Sequence, residues 1–343
     1  MASRAVIGGR PTLEQVGELA GVSRATVSRV INNSPKVSPE VRAAVEQAIA
    51  KLSYSPNQAA RSLVTRRTDA IALVVCEPEE QFFADPFFAA VVRGLGSITT
   101  EVDKNLVLMV MQGEAERDRA RRYLRPDHVD GVVLMSLHGD DPLPRQLDAA
   151  GVPTVLIGRP VGKPVVPYVD ADNRGGARQA VDHLVRLGRR EIATVTGPAN
   201  MAVSSDRYEG YRDALEAARL RPLKALVEEG DFLEEGGYEA TKRLLARRPG
   251  LDGLFAASDL MAAGALRALR EHGRRVPNDV AVVGFDDFPI ASHTMPPLTT
   301  IRQPLDRMTE AAADLLLRRV DGDGKGGPQH VICATDLVVR ESA

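Results

Sequence analysis

The sequence has little that would support cysteine, metal or membrane chemistry. It contains two cysteines in 343 residues and no tryptophan. Neither Cys76 nor Cys333 has a second Cys at the spacing of a metal site. No apolar run reaches the roughly 18 to 20 residues of a membrane helix, and the N-terminal residues lack the apolar core of a signal peptide. We therefore expect two buried free thiols, no metal, no cofactor, no membrane contact and a cytoplasmic location.

The sequence also lacks the motifs of the common enzyme classes. It contains no HExxH, no GxSxG and no GxGxxG after an apolar run. The loop at residues 322–327 lacks the Lys-Ser/Thr ending of a phosphate-binding loop. Asp286 and Asp287 could be a pair of glycosidase carboxylates, but neighbouring strand residues point to opposite faces. We expect one Asp in a cleft, the other capping the next helix, and no catalytic activity.

Charge is distributed unevenly along the chain. Residues 1–69 carry ten Lys or Arg against five Asp or Glu, whereas the remaining residues carry 34 against 41. A basic segment ahead of an acidic body suggests that one end of the chain contacts a polyanion, although a solvated basic face would give the same pattern. The length also exceeds what one core usually organises, which predicts two or more domains.

Three helices are predicted in the basic segment. Thr12 begins the first with a capping box, and Ser23 can cap a second after a turn that contains Gly21. Ser38 can cap a third helix, with Pro39 at its first position. A helix, a short glycine turn and a helix form the helix-turn-helix pattern, whose second helix enters the DNA major groove. An ordinary helical hairpin is the alternative.

Apolar runs alternate with amphipathic stretches in the rest of the chain. Seven runs predict buried strands: AIALVV, LVLMVM, GVVLMSL, PTVLIG, EIATVTG, GLFAAS and VAVVGFDD. This alternation is typical of a mostly parallel α/β sheet, and seven strands in about 270 residues favour two lobes around a ligand cleft. The predicted fold class is therefore α/β, with an N-terminal all-α helix-turn-helix headpiece.

The stretch TLEQVGELAGVSRATVSRVINNSPKVSPEVRAAVEQAIAKLSYSPNQAARSL, residues 12–63, resembles the headpiece of the LacI/GalR family of bacterial transcription regulators. The resemblance covers the whole chain and implies a two-lobed, periplasmic-binding-protein-like core that the chain crosses three times. It implies a headpiece over 1–55, a hinge helix and linker over 56–69, and an effector-binding and dimerisation core over 70–343. The expected lobes are discontinuous: about 70–158 with 296–322, and about 159–295 with 328–343.

The second helix and the resemblance together predict the residues that contact DNA. The polar residues that remain on this helix once its buried face is assigned suit phosphate and base-edge contacts. The resemblance implies that Leu63 of the hinge helix is a minor-groove wedge, with a core leucine at a domain junction as the alternative. The predicted DNA-contacting residues are Thr12, Ser23, Arg24, Ala25, Thr26, Ser28, Arg29, Asn32, Tyr54, Asn57, Ala60 and Leu63.

Residues after the strands of the core predict an effector site. Arg207, at the start of a helix after EIATVTG, can meet two sugar hydroxyls, and the resemblance implies that it contacts the effector. The resemblance also matches Asp286 to a hydroxyl-accepting Asp and Phe232 to a ring that stacks on the sugar. Ser258 stands where many relatives have Asn, a smaller hydroxyl in place of an amide. The predicted effector-binding residues are Phe87, Phe88, His138, Arg207, Phe232, Ser258, Asp259 and Asp286.

The sequence therefore predicts a homodimeric, nucleoid-associated repressor that binds double-stranded operator DNA and releases it when a small effector enters the cleft. The stretches RPTLEQV, VTRRTDAIALVV and HVDGVVLMSLHGDDPLP resemble cellobiose-responsive repressors of actinobacteria. Cellobiose or a related gluco-oligosaccharide is thus the first candidate effector, and another sugar or a purine corepressor remains open. A sugar-binding transport protein with the same core is the rival class, but it would need export and would not carry a basic headpiece.

Overall fold

The structure falls into two units. A computed structural model describes residues 11–31, 34–54, 67–323 and 329–343. The units are Met1–Thr68 and Asp69–Ala343, and each is described by itself. Within the described ranges, no helix combines the length and the hydropathy needed to span a bilayer.

The described part of the first unit contains three helices, α1 (Leu13–Ala20), α2 (Arg24–Ile31) and α3 (Pro39–Leu52). The predicted caps are present. The Thr12 hydroxyl accepts from the Gln15 backbone while the Gln15 side chain accepts from the Thr12 backbone. The Ser23 and Ser38 hydroxyls cap α2 and α3. A small apolar core joins the three helices: Val16, Val27, Val30, Val45, Ala48 and Tyr54.

The turn between α1 and α2 is tight because two glycines permit it. Gly21 ends α1 in the left-handed conformation, at φ +69°, which glycine adopts without steric cost. Gly17 lies inside α1, and a Cβ at this position would be 2.8 Å from the carbonyl oxygen of Val22. Any side chain at residue 17 therefore pushes α1 away from the turn.

The second unit is an α/β structure. Its elements from Asp69 to the end of the fifth strand are β1 (Ala70–Val75), α4 (Glu79–Ala84), α5 (Pro86–Glu101), β2 (Asn105–Val110), α6 (Glu114–Tyr123), β3 (Gly131–Met135), α7 (Leu143–Ala149), β4 (Thr154–Ile157) and β5 (Tyr168–Ala171). The next elements are α8 (Asn173–Arg186), β6 (Ile192–Thr196), α9 (Ala202–Ala217), β7 (Val227–Glu229), α10 (Glu234–Arg247), β8 (Gly253–Ala256), α11 (Asp259–Glu271), β9 (Ala281–Asp286), α12 (Pro289–His293) and β10 (Thr299–Arg302). The last are α13 (Leu305–Val320), β11 (His330–Cys333) and β12 (Asp336–Val338).

These strands form two six-stranded sheets within the described residues. The first sheet has the order β11-β5-β4-β3-β1-β2 and is entirely parallel. The second has the order β12-β10-β9-β8-β6-β7 and is parallel except where β12 joins β10. Parallel strands need crossover helices that cover both faces, which explains why the central strands are continuous apolar runs.

All seven predicted strands are present, but not all are buried. Every residue of β1, β3 and β9 is buried. The edge strand β2 is partly exposed along its length, since only one strand flanks it in the described chain. The prediction for the cysteines was half wrong: Cys76 is buried, but Cys333 lies on the edge strand β11 and is partly exposed.

The first two predicted lobe crossings are misplaced. Strand β5 pairs with β4 in the first sheet, so the chain leaves the first lobe after residue 171 and not near residues 158–163. Strand β10 pairs with β9 in the second sheet, so the chain returns after residue 302 and not near Pro296. The first lobe therefore extends further along the chain than predicted, and the second lobe begins later.

The third crossing is misplaced in the same direction. Strand β11 belongs to the first sheet and β12 to the second, so the chain crosses at residues 334–335 and not at residues 322–327. Glycines and prolines mark where a strand ends. They do not reveal which sheet the next strand joins, because that depends on partners distant in sequence.

Candidate functional site

Five of the twelve predicted DNA contacts lie on α2, and three of these are exposed. Thr12, Ser23, Arg24, Ala25 and Arg29 are exposed, while Thr26 and Ser28 are partly buried. Tyr54 is different, because its side chain packs in the headpiece core and is only 9% exposed. Packing in the headpiece core is thus the role of Tyr54 that the structure shows, and its DNA contact stays a prediction. Four predicted contacts lie outside the described residues: Asn32, Asn57, Ala60 and Leu63.

Arg24, an exposed cation at the start of α2, forms an ion pair with Glu14 of α1. Its Nε lies 3.3 Å from Glu14 Oε1, and both side chains are largely exposed. We expect Arg24→Ala to weaken operator binding by about 1 to 3 kcal/mol if the guanidinium reads a guanine, with relaxed specificity at one base pair. Fluorescence anisotropy with matched and single-substituted duplexes measures this. An equal loss on every sequence would assign Arg24 to the phosphate backbone instead.

A cleft that is open to solvent lies between the two sheets of the second unit. Six predicted effector residues line it: Phe87, Phe88, Arg207, Phe232, Ser258 and Asp286. The carboxyl ends of parallel strands supply most of the polar wall, as is usual for open α/β sheets. The structure therefore brings six of the eight predicted residues together in one cleft.

Arg207 is the buried cation of the cleft. It lies in the second turn of α9, further into the helix than predicted, and only 4% of the residue is exposed. Its Nε donates to Asn173 Oδ1 over 2.9 Å, and its Nη1 donates to the Ala257 carbonyl. The guanidinium stacks on the Phe285 ring at 3.7 Å. These contacts fix the orientation of a planar donor that can bind two hydroxyls at once.

Three carboxyls surround this guanidinium: Asp85 is partly buried, and Asp170 and Asp286 are buried. Asp286 Oδ1 lies 3.5 Å from Arg207 Nη1 and accepts from the Gln303 amide over 2.6 Å. Burial raises the pKa of Asp286 to about 7, and burial raises the pKa of Asp85 and that of Asp170 to about 6. Desolvation disfavours the charged form of each acid. Hydroxyl donors from a ligand would favour that form and thus bind well here.

An aromatic wall faces these polar groups. Phe87 and Phe88 pack edge to face, with ring centroids 5.7 Å apart, at the start of α5. Phe232 holds a left-handed backbone conformation at φ +68°, which is rare outside glycine and found at ligand sites. A side chain at Gly197 would overlap the Phe232 ring, and Ser258 Oγ donates to the Phe232 carbonyl over 3.3 Å. The structure thus holds this ring in place beside the cleft.

Two predicted effector residues do not line the cleft. Asp259 is fully buried and accepts from the Phe288 backbone and the Thr300 hydroxyl, which ties α11 to the second sheet. Its burial raises the pKa well above the usual range. His138 contacts Glu77 and Asn200 at the edge of the cleft instead of its wall.

The expected helix cap at Asp287 is also wrong. This carboxylate accepts from Arg302 over 2.7 Å and from Arg340 over 2.6 Å. Helix α12 begins after Phe288 without a side-chain cap. Two cations that are distant in sequence thus determine the role of Asp287, which local sequence could not reveal.

Sequence reasoning missed several polar residues of the cleft. Glu77 follows β1, Arg159 follows β4, and Asp170 lies within β5. A usable signal existed, because each of the first two is a charged residue directly after an apolar strand. The other missed polar lining residues are Gln81, Asp85, Ser136, Asn173 and Gln303.

The two lobes contact each other around the cleft. Arg159 of the first lobe makes a bidentate pair with Asp206 of the second, at 2.7 and 3.0 Å. The Gln81 amide donates to the Asp231 carbonyl over 3.0 Å. His138 meets Asn200 on another side. A ligand in the cleft would therefore be bounded by both lobes.

Family models match two parts of the chain. Residues 12–57 match bacterial regulatory proteins of the lacI family, and residues 181–343 match a periplasmic binding protein-like domain. The HTH-type transcriptional regulator CelR of Thermobifida fusca is 51% identical over 335 residues, which cover 97% of this chain and 98% of that protein. The ribose operon repressor of Halalkalibacterium halodurans is 34% identical over 333 residues, 96% of each chain.

Two solved structures of transcription regulators match the whole architecture of this chain. A structure of a transcriptional regulator CelR–cellobiose complex matches with a TM-score of 0.78 and 49% identity, over 97% of this chain and 100% of that one. The lac repressor dimer bound to operator and the anti-inducer ONPF matches with a TM-score of 0.85 and 29% identity, over 97% and 99%. The family resemblance and fold class predicted from the sequence are thereby confirmed, and the chain belongs to the LacI family of bacterial transcription regulators.

Proposed function

We propose that this protein is a sugar-responsive repressor whose effector is cellobiose or a related gluco-oligosaccharide. The observation that carries the proposal is the composition of the cleft, where a buried guanidinium and buried carboxyls face aromatic rings. Charged hydrogen-bonding groups bind sugar hydroxyls, and aromatic faces pack on the apolar side of a pyranose ring. The proposed effector contacts are Phe87, Phe88, Arg207, Phe232, Ser258 and Asp286.

The ligand named in a related structure supports a disaccharide. The relative from Thermobifida fusca is named CelR, and the matching solved structure contains cellobiose. This likeness favours cellobiose over a monosaccharide as the effector.

On the DNA side, the proposal assigns operator recognition to the exposed face of α2. The basic headpiece supplies phosphate contacts, and a homodimer presents two such helices with two-fold symmetry. The operator is therefore an inverted repeat. The matching structure of a lac repressor dimer on operator supports this arrangement. Insertion of Leu63 into the minor groove stays a prediction of the family resemblance.

Linked titrations test the proposal. Cellobiose at 100 times its dissociation constant should add about 2.7 kcal/mol of stability, because it binds only the native protein, and this is visible as a raised Tm. The same sugar should weaken binding to the inverted-repeat operator, and the operator should weaken sugar binding by the same factor. Glucose and ribose serve as control ligands. Stronger operator binding with sugar would establish a corepressor mechanism and overturn induction.

A further inference from the structure

Glu77 is a buried carboxylate at the cleft that the proposed effector contacts do not include. It directly follows Cys76 after β1, lines the cleft and is 7% exposed. Two donors converge on one of its oxygens: the Ser136 hydroxyl and His138 Nε2, the latter at 2.9 Å. Its other oxygen, Oε2, accepts no hydrogen bond from any described residue. A carboxylate that is held in place through one oxygen can still accept a hydrogen bond from a ligand through its other oxygen.

His138 connects this carboxylate to the other lobe. Its Nδ1 lies 3.1 Å from Asn200 Oδ1, on the loop after β6 of the second sheet. The neighbouring Gly139 N–H donates to the Asn200 carbonyl over 2.7 Å. An imidazolium can donate to Glu77 and Asn200 at the same time, whereas a neutral ring can donate through one nitrogen only. The protonated form of His138 therefore matches both contacts.

We propose that Glu77 is a further effector-contacting residue, which accepts a hydrogen bond from a sugar hydroxyl through Oε2, and that His138 positions it and fastens it to the second lobe. The inference rests on the proposed function, because it requires a ligand with hydroxyl donors. Recognition at Glu77 is then coupled to the contact between the lobes. Such a site selects a free hydroxyl over a deoxy position, since loss of the donor leaves a buried carboxylate without its partner.

The charges around His138 determine the sign of its pH dependence. Glu77 faces it from the end of β1, Arg117 of α6 faces it from another side, and Arg117 is itself paired with Asp141 over 2.5 Å. Hydrogen bonding to Glu77 raises the pKa of His138 above its usual range. The contact between His138 and Asn200 is thus fully formed below the ordinary His pKa. It is lost as the pH rises through the raised pKa of His138.

Calorimetric titration of cellobiose into the full chain tests the carboxylate. Glu77→Gln keeps the shape and removes the charge, and it should weaken cellobiose binding by about 10- to 100-fold, the range for a hydrogen bond to a charged group. Glu79→Gln, on exposed α4, makes the same change outside the cleft and should bind normally. Glu77→Asp keeps the charge but retracts it, and it provides a second variant if Glu77→Gln fails to fold.

A ligand series identifies the contact directly. Among monodeoxy cellobioses, one should bind the wild type about 10-fold more weakly than cellobiose does, and that penalty should vanish in Glu77→Gln. Equal penalties in both proteins at every position would overturn the assignment of Glu77. If the wild type binds none of the sugars, the proposed function fails and the inference falls with it. If the wild type binds and Glu77→Gln binds equally well, the inference alone is overturned.

The pH profile of binding tests the positioning role of His138. As the pH rises above the ordinary pKa of His, cellobiose affinity should decline in the wild type relative to His138→Gln, because only the wild type loses an imidazolium contact. Asp85, Asp170 and Asp286 titrate in both proteins, so the difference between the two profiles isolates His138. His128→Gln, at a ring stacked on Tyr123, is the matched control. Parallel profiles for wild type and His138→Gln would refute the positioning role.

Discussion

Arg207→Ala should abolish the response to sugar and lower the stability of the effector-binding unit by about 3 to 5 kcal/mol, the usual cost of removing one partner from a buried charge cluster. The residue is 4% exposed and lies beside Asp286. Its loss should raise the pKa of Asp286 further above the value of about 7. When the pKa of a carboxyl is raised in the folded state, the folded protein is relatively stable in acid, where the carboxyl is protonated. That stability is lost as the pH rises through the raised pKa. The difference in Tm between Arg207→Ala and the wild type should therefore be smaller at about pH 5 than at about pH 8.

The matched control is Arg212→Ala on the same helix. Arg212 pairs with Glu209 and Glu216 on the surface, where ion pairs contribute about 0 to 1 kcal/mol. Arg207→Lys retains the positive charge but not the planar pair of donors, so it should fold well and still bind cellobiose poorly. Thermal melts and calorimetry measure both effects. Normal cellobiose affinity in Arg207→Lys would show that the guanidinium does not contact the sugar.

Gly17→Val should abolish specific operator binding while leaving sugar binding intact. The Cβ alone would lie 2.8 Å from the Val22 carbonyl oxygen, and a β-branched side chain adds bulk at the tightest point of the turn. Such overpacking costs about 1 to 3 kcal/mol, which is a large share of the stability of so small a unit. We expect operator affinity to fall at least about 10³-fold, to the non-specific level.

Anisotropy with the operator and calorimetry with cellobiose should separate the two units in this variant. The proposed sugar site lies wholly within Asp69–Ala343, so its affinity for cellobiose should not change. Ala50→Val adds a β-branched side chain on the exposed face of α3 and should bind operator almost normally. If Gly17→Val lost sugar binding as well, the two units would have to fold as one.

The fold could be predicted from the sequence where the signal is local. The strands AIALVV and VAVVGFDD were evident because central parallel strands are buried on both faces and must be apolar. The strands YVDA at Tyr168–Ala171 and HVIC at His330–Cys333 were missed, since each has only four residues and neither is a continuous apolar run. Each missed strand displaced a predicted lobe boundary, because membership of a sheet depends on pairing across long sequence separations.

The residues of the candidate site were likewise predictable only where local sequence or the family resemblance identified them. Arg207, Phe232 and Asp286 were predicted because the family resemblance identifies their positions. Asp259 was wrongly assigned to the cleft because its partners, Phe288 and Thr300, come from elements that follow it in the chain. An acid after a strand can serve a ligand or the packing of the next helix. Only the three-dimensional neighbours decide between these roles.

The excess of acids in the cleft has a consequence for physiology. Glu77, Asp85, Asp170 and Asp286 line it, whereas its cations are Arg207 and Arg159, and Arg159 is already neutralised by Asp206. A phosphate dianion would enter a site where buried carboxyls surround the one guanidinium that remains, and like charges at close range repel strongly in a low dielectric. The cleft is therefore built for a neutral sugar. We therefore expect the protein to respond to sugar that has not been phosphorylated during uptake, and not to the phosphorylated form of the same sugar.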